Sequence, residues 1–343
     1  MKSIVITGVT GQDGSHMADY LLKNTNYKIF GSIRRLSVKN HDNILHLQNN
    51  PRFQLIDMDL SDAHSIRDVI LENQPDYFIN FAAQSFVAGS WKYPIQTWET
   101  DSNSVLHILE SIRRFSPKTR FYNAGSSEEF GDVIYTPQDE NHPLRPQSPY
   151  GAAKCAARHL VRVYRESYGL FAIQGWLFNH EGTRRGLDFV TRKISDGVAR
   201  IKISIEDNKS IPILSLGNID AQRDWSDAED FMEGVWLMLN QKNPIAYVLA
   251  SGEMHTIREF LVECLNLAEI SFINKGEGVE EKFFTESGDL IVDINEKYYR
   301  PAEVHKLCGT TELAKSNMGW KRKTDFKGLV RKMYLNDYNL LKN

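Results

Sequence analysis

Residues 3–22, SIVITGVTGQDGSHMADYLL, decide the fold. After Ser3 the first positions are apolar or β-branched, as a strand buried on both faces requires. Gly8, Gly11 and Gly14 follow three apart, and residues 15–22 carry the apolar spacing of a helix. Glycines between a strand and a helix let the backbone approach a pyrophosphate. The helix N-terminus adds free N–H groups and a favourable dipole. Gln12 and Asp13 lie inside that turn and join the three glycines as candidate dinucleotide ligands.

Working outward, residues 27–33, 53–58 and 77–81 read as further strands, and 120–123 starts a fifth. Residues 66–71, 105–112 and 150–168 read as helices, and 171–177 as another strand. Short connections between alternating strands and helices predict a Rossmann-like, doubly wound parallel sheet of the α/β class. After residue 179 the alternation fades, although 227–239 and 257–267 still look helical. We expect a dinucleotide-binding part at 1–178. A smaller, mainly substrate-binding region is expected at 179–343, interleaved with the first.

Composition narrows the function. A formal net charge of −3 with no basic block argues against nucleic acid as the main partner. No apolar run is long enough to span a membrane. The start, Met1-Lys2-Ser3 and then a strand, lacks the apolar core of a signal peptide, so a cytoplasmic location is expected. Cys155, Cys264 and Cys308 form no CxxC pair, and no His/Cys/Asp cluster has metal-ligand spacing. A reduced compartment and no metal are expected.

The second strand ends GSIRR, residues 31–35. An acidic residue there would hold a ribose 2′-hydroxyl, but Arg34 and Arg35 suit a 2′-phosphate, so NADP is expected rather than NAD. Asp59 and Leu60, just past the third strand, are placed to meet the adenine edge. FAAQS, residues 81–85, ends the fourth strand and brings Phe81, Ala82, Ala83, Gln84 and Ser85 to line the cofactor.

SPYGAAK, residues 148–154, sets Tyr150 and Lys154 one helical turn apart, behind Ser148 as a cap and Pro149 in the first turn. A phenol titrates near pH 10 and makes a poor base at neutrality. A neighbouring ammonium and a nicotinamide cation are expected to lower that value. A base on a hydroxyl while hydride leaves the carbon is what alcohol oxidation needs.

GxxGxxG combined with YxxxK resembles the short-chain dehydrogenase/reductase superfamily, extended type. Five strings are more specific: ITGVTGQDGSHMADYLL, SPYGAAK, LFNHEGTRRGLDFVTRKI, SLGNIDAQRDW and KYYRPAEV. They resemble the GDP-mannose 4,6-dehydratase family over nearly the whole chain. The resemblance implies a nucleotide-sugar 4,6-dehydratase with a GDP-linked sugar as substrate.

In such folds the end of the fifth strand delivers a hydroxyl to the substrate. Here AGSSEEFG, residues 124–131, puts Ser126 there with Glu128 two residues on, where the family has Thr-Ser-Glu. Serine keeps the hydroxyl and loses a methyl. The carboxylate supplies the general acid-base work that water loss demands. Glu129 is the rival; strand alternation would put Glu128 on the face of Ser126.

The resemblance also implies His180 and Arg185 near the cofactor and Asn179 near the substrate. Val190, Lys193, Leu216, Gly217 and Arg223 join the substrate contacts; Arg300 would grip the diphosphate and Glu303 read guanine. His159 and His255 are read as structural. Residues 90–101, SWKYPIQTWETD, depart from the family pattern and carry Trp91 and Trp98. The sugar is therefore left between GDP-mannose and a GDP-D-glycero-D-manno-heptose. A homodimer or homotetramer is implied, since the arginine-bearing loop after the second strand meets a neighbouring subunit in the family. The rival readings are a nucleotide-sugar 4-epimerase or 4-ketoreductase, and a non-catalytic NADP-binding regulator.

Overall fold

The computed structural model describes residues 1–38, 40–299 and 307–342. The first half contains β1 (Ser3–Thr7), α1 (Gln12–Asn24), β2 (Lys28–Ile33), β3 (Phe53–Asp57), α2 (Ala63–Asn73) and β4 (Tyr77–Asn80). It continues with α3 (Val87–Lys92), α4 (Pro94–Trp98), α5 (Ser104–Phe115), β5 (Arg120–Ala124), α6 (Pro149–Tyr168) and β6 (Ala172–Leu177). Then come β7 (Asn179–Glu181), α7 (Val190–Glu206), β8 (Leu214–Leu216), β9 (Gln222–Arg223), β10 (Trp225–Asp227), α8 (Ala228–Leu239) and β11 (Val248–Leu249). The chain closes with β12 (His255–Thr256), α9 (Ile257–Leu267), β13 (Phe272–Lys275), β14 (Lys282–Thr285), β15 (Leu290–Ile294), α10 (Glu312–Met318) and α11 (Phe326–Lys342).

Seven strands form one sheet in the order β11-β6-β5-β4-β1-β2-β3, and every neighbouring pair runs parallel. The chain steps outward from β1 to β3, then crosses to β4 on the other side. The order therefore reverses between β1 and β4, and the crevice beyond their C-terminal ends is the switch point where such sheets bind ligands.

Helices cover both faces, which is why the strands are apolar at nearly every position. On one face Met17 and Leu21 of α1 pack with Phe231 and Val235 of α8. On the other, Ile66 and Val69 of α2 meet Val105 and Ile108 of α5 and Val161 of α6. Each such side chain contributes about 1.5–3 kcal/mol on burial.

The chain beyond residue 179 returns to this sheet, because α8 covers α1's face and β11 is the seventh strand. The rest of it builds a second core, in which α7, α9 and α11 pack with a mixed sheet ordered β13-β14-β15-β8. Little in the sequence announces these strands. They are short, partly exposed, and shaped by contacts far along the chain.

Candidate active site

The glycine turn lies at the switch point. Gly8 has φ of +65° and its carbonyl accepts from Gly11 N at 2.9 Å. Gly11 caps α1 with no side-chain hydrogen bond, so no side chain of the turn competes for the first N–H groups. A Cβ on Gly14 would stand 2.3 Å from the Gly8 carbonyl oxygen. The turn closes only because that atom is missing. Thr7 Oγ1 donates to Asn80 Oδ1 at 2.6 Å and accepts from Ala82 N at 3.0 Å, which ties the ends of β1 and β4 together.

Three of the expected cofactor residues meet beside this turn. Gln12 Nε2 donates to Asp13 Oδ1 and to the His180 carbonyl, both at 3.1 Å. Its buried Oε1 has no hydrogen-bond partner among the described residues. His180 Nε2 lies 2.9 Å from Asp13 Oδ2, and Nδ1 lies 2.7 Å from the Phe178 carbonyl. Both ring nitrogens face acceptors, an arrangement that favours the imidazolium form. Burial pushes Asp13 up, but His180 and Gln12 outweigh it and hold the carboxyl well below its usual range. Burial likewise lowers His180, and Asp13 reverses the sign to a raised value. Arg185 pairs with Glu181 at 3.0 Å and stacks over the Phe189 ring at 3.5 Å.

Arg34 and Arg35 are exposed just past β2. Asp59 accepts from Ser61 N at 2.9 Å and Ser61 Oγ at 2.8 Å. Those bonds lower its pKa, and Arg34 adds a weaker pull, so the two ends of β2 and β3 adjoin. Leu60 packs on the core beneath α2 and α5. Beyond β4, Phe81, Ala82, Ala83 and Gln84 are half-buried and Ser85 is exposed. Gln84 folds back, its Oε1 accepting from Phe86 N at 2.7 Å.

Ser148 Oγ accepts from Gly151 N at 3.0 Å and Pro149 fills the first position of α6. That start places Tyr150 and Lys154 on one face, both buried at 8% and 4% exposure. A Cβ on Gly151 would lie 2.6 Å from the Glu128 carbonyl oxygen. The helix therefore begins directly against the turn that carries Ser126 and Glu128.

Two expectations are corrected here. Ser126 and Glu128 do not alternate along a strand, since β5 ends at Ala124 and residues 127–129 form a 3-10 turn capped by Ser126. Glu128 N bonds Ser126 Oγ at 3.2 Å, and Glu129 reaches back to Ser126 N at 2.8 Å. The chain leaves the sheet at this point because that capping box satisfies the turn locally. The choice of carboxylate stands on other ground. Glu129 is fully buried in an ion pair with Arg158, whereas Glu128 is half-buried and its backbone lies against the start of α6.

In the protein alone Tyr150 is raised, not lowered. Burial raises the phenol, Asp101 adds to it, a Ser126 hydrogen bond opposes, and Glu128 and Glu129 raise it further. The Lys154 ammonium donates to the Ala124 carbonyl at 3.0 Å, with Nζ 5.6 Å from the Tyr150 ring centre.

The substrate candidates form a looser group. Lys193 Nζ sits 3.6 Å over the Tyr298 ring, and a Cβ on Gly217 would meet the Tyr298 carbonyl at 2.7 Å. Leu216 is buried at the end of β8, Val190 opens α7, and Asn179 opens β7. Phe86 and Phe189 meet edge to face with centroids 6.1 Å apart. That contact joins the segment after β4 to the start of α7. Arg223 is largely buried, with Nη1 donating to the Gln222 carbonyl at 2.7 Å. Arg192 turns inward to Asp337 at 2.8 Å. Arg300 and Glu303 lie outside the described residues.

Reading residue types alone misses a buried polar ladder across the sheet. Asn80 Nδ2 donates to Asn123 Oδ1 and Asn123 Nδ2 to Gln174 Oε1, each at 2.7 Å. Gln174 Nε2 then donates to Glu129 Oε1 at 3.0 Å. The available signal was one polar residue in or at the end of each apolar strand, at Thr7, Asn80, Asn123 and Gln174. Asp101 was missed as well. Among the described residues no group of His, Cys, Asp or Glu has the makings of a metal site.

A family model described as GDP-mannose 4,6 dehydratase matches residues 5–333. The chain belongs to this family. It is 40% identical to the GDP-mannose 4,6-dehydratase of Vibrio cholerae serotype O1, over 98% of this chain and 93% of that protein. It is 42% identical to GDP-mannose 4,6 dehydratase 2 of Arabidopsis thaliana, over 99% and 88%. Among solved structures, dTDP-glucose 4,6-dehydratase from Bacillus anthracis in complex with NAD superposes with a TM-score of 0.80. That match is 18% identical and covers 100% of this chain and 98% of the other, and it speaks for the fold. The protein is accordingly a sugar-nucleotide 4,6-dehydratase.

Proposed function

We propose that the protein performs its family's 4,6-dehydration on a GDP-linked, manno-configured sugar, with NADP held at the switch point. The cradle fits a dinucleotide. Gly8 and Gly14 leave space that a Cβ would fill, and Gln12 offers an unpartnered buried oxygen. Gly11, Asp13, His180 and Arg185 complete the cradle, Arg34 and Arg35 favour the 2′-phosphate, and Asp59 and Leu60 flank the adenine side. Held there, a nicotinamide would supply reversible hydride transfer to and from the sugar, from carbon 4 and to carbon 6, with no net redox.

The chain's own groups do the proton work. Tyr150 takes the proton of the 4-hydroxyl, and Ser126 orients that hydroxyl. Lys154 donates to the Ala124 carbonyl and keeps positive charge beside the phenol. Once carbon 4 is a ketone, the proton on carbon 5 is acidic, and Glu128 removes it. Glu128 then hands that proton to the departing 6-hydroxyl, which leaves as water, and the proton that Tyr150 took from the 4-hydroxyl goes to carbon 5 once carbon 6 is reduced, which restores both groups. Asn179, Lys193 and Arg223, with Arg300 and Glu303, are the proposed grip on the nucleotide.

The observation that carries this reading is the placement of Glu128. It shares a turn with Ser126, against the helix start that presents Tyr150, while Glu129 is spent on Arg158. A 4-epimerase or 4-ketoreductase has no use for that carboxylate, and a regulator has none for Ser126, Tyr150 and Lys154 together. The test is Glu128→Gln, which should bind NADP normally and fail to release water. Unaltered dehydration in that variant removes Glu128 from the role.

Residues 1–178 are assigned mainly to the dinucleotide and 179–343 mainly to the sugar nucleotide. No helix among the described residues is long and apolar enough to cross a membrane. A cytoplasmic homodimer or homotetramer completes the proposal, with mannose and manno-heptose as the two sugars to be tried.

A further inference from the structure

Asp101 lies where α4 runs into α5, on a single wide turn, Glu99–Asn103, with π-type hydrogen bonding. Such turns are rare inside helices and concentrate at functional sites. The residue is 2% exposed. Its Oδ1 accepts from Gln84 N at 2.7 Å, while Oδ2 is buried and has no hydrogen-bond partner among the described residues. A buried carboxylate oxygen left unpaired costs stability, so folding alone gives no reason to keep it.

The wide turn packs against α6, the helix of Tyr150 and Lys154. Asp101 is tied electrostatically to that couple: its charge raises Tyr150, and Lys154 pulls Asp101 down. The other groups around it are accounted for. From the turn after β5, Glu128 and Glu129 reach the same tyrosine. Helix α4, also packed on the wide turn, carries no titratable side chain. Helix α5 adds His107 and then Glu110, which is engaged by Arg113, Arg114 and Tyr164.

We propose that Asp101 is a positioning residue of the reaction centre: Oδ1 fixes the Gln84 amide and the segment after β4, and the carboxylate's buried charge sets the cost of ionising Tyr150. This rests on the reading of Tyr150 as the base. Burial pushes Asp101 up to about 6, against the pull of Lys154 and the Gln84 bond. A negative Asp101 opposes a phenolate at Tyr150 and a neutral one does not. The sign follows: removing the charge lowers Tyr150, so the acid limb of the rate profile moves to lower pH.

The test is the pH dependence of kcat/KM for water loss in wild type, Asp101→Asn and Asp101→Ser. Both variants keep an acceptor for Gln84 N–H and lack the charge, so either suffices if the other folds poorly. The expected result is an acid limb displaced downward by about one pH unit, whatever happens to the maximal rate. A limb that stays in place or moves upward overturns the proposal, even if activity falls, because a merely structural role lowers the rate without moving the limb. Tyr150→Phe is run beside them: retained turnover there sinks the base assignment, whereas a dead Tyr150→Phe with an unmoved limb sinks only the role of Asp101.

Discussion

Arg158 and Glu129 form a buried ion pair directly beneath the turn that carries Glu128. Arg158 also donates to the Gln174 carbonyl at 2.6 Å and stacks over the Trp176 ring at 3.5 Å. The pair is the anchored end of the polar ladder that starts at Thr7. Through it, the position of the proposed acid-base carboxylate is fixed to four central strands.

Replacing Arg158 with Leu should therefore destabilise the protein by about 3–5 kcal/mol, because Glu129 is left charged and uncompensated. Chemical denaturation reads the loss. The double variant Arg158→Leu, Glu129→Gln should recover part of it, since the stranded charge is gone. Equal costs for single and double variants would show that the charge is not what matters.

Gly14→Ala should abolish NADPH binding, followed by the cofactor's fluorescence, because its Cβ would stand 2.3 Å from the Gly8 carbonyl oxygen. Gly186→Ala is the control, since its nearest contact is an ordinary 3.6 Å to Phe189. Equal binding by both variants would place the dinucleotide elsewhere.

The Asp13–His180 pair gives a pH signature. His180 is raised in the fold, so its contribution is complete below the ordinary histidine value of about 6.5 and fades as pH rises through the raised one. Asp13 is depressed, so its contribution is present above about 4 and fades as pH falls through the lowered value. The stability gap between wild type and His180→Gln should be widest between those limits and shrink on either side. A gap independent of pH would contradict the imidazolium assignment.

Tyr150→Phe should cut turnover by about 10²–10⁴-fold while leaving cofactor affinity unchanged. Assays of product formation and cofactor binding on one preparation separate the two. A variant that loses both has lost the site and not the base.

Much of this was legible in the chain because it is local. The strand, glycine turn and helix at residues 3–22 need only short-range sterics and hydrogen bonding, and Ser148-Pro149 starts α6 by the same rules. The Glu128 turn was less legible. Seen along the chain, AGSS extends a strand, and only the reach of Glu129 back to Ser126 N, with Arg158 behind it, bends it away. The mixed sheet after residue 179 pairs β15 with β8, with Val292 opposite Leu214, 78 residues earlier, and no local pattern encodes such pairing. Asp101 was hidden for a related reason. Its meaning depends on the side chains of α6, half a hundred residues on, and on a helix irregularity that composition does not mark.

The most direct measurement follows a deuterium placed on carbon 4 of GDP-mannose, and of the GDP-manno-heptose, through the reaction. The account predicts a product lighter by one water with the label carried to carbon 6, and no build-up of reduced cofactor. A product of unchanged mass, or one whose label has been lost from the sugar, would contradict it.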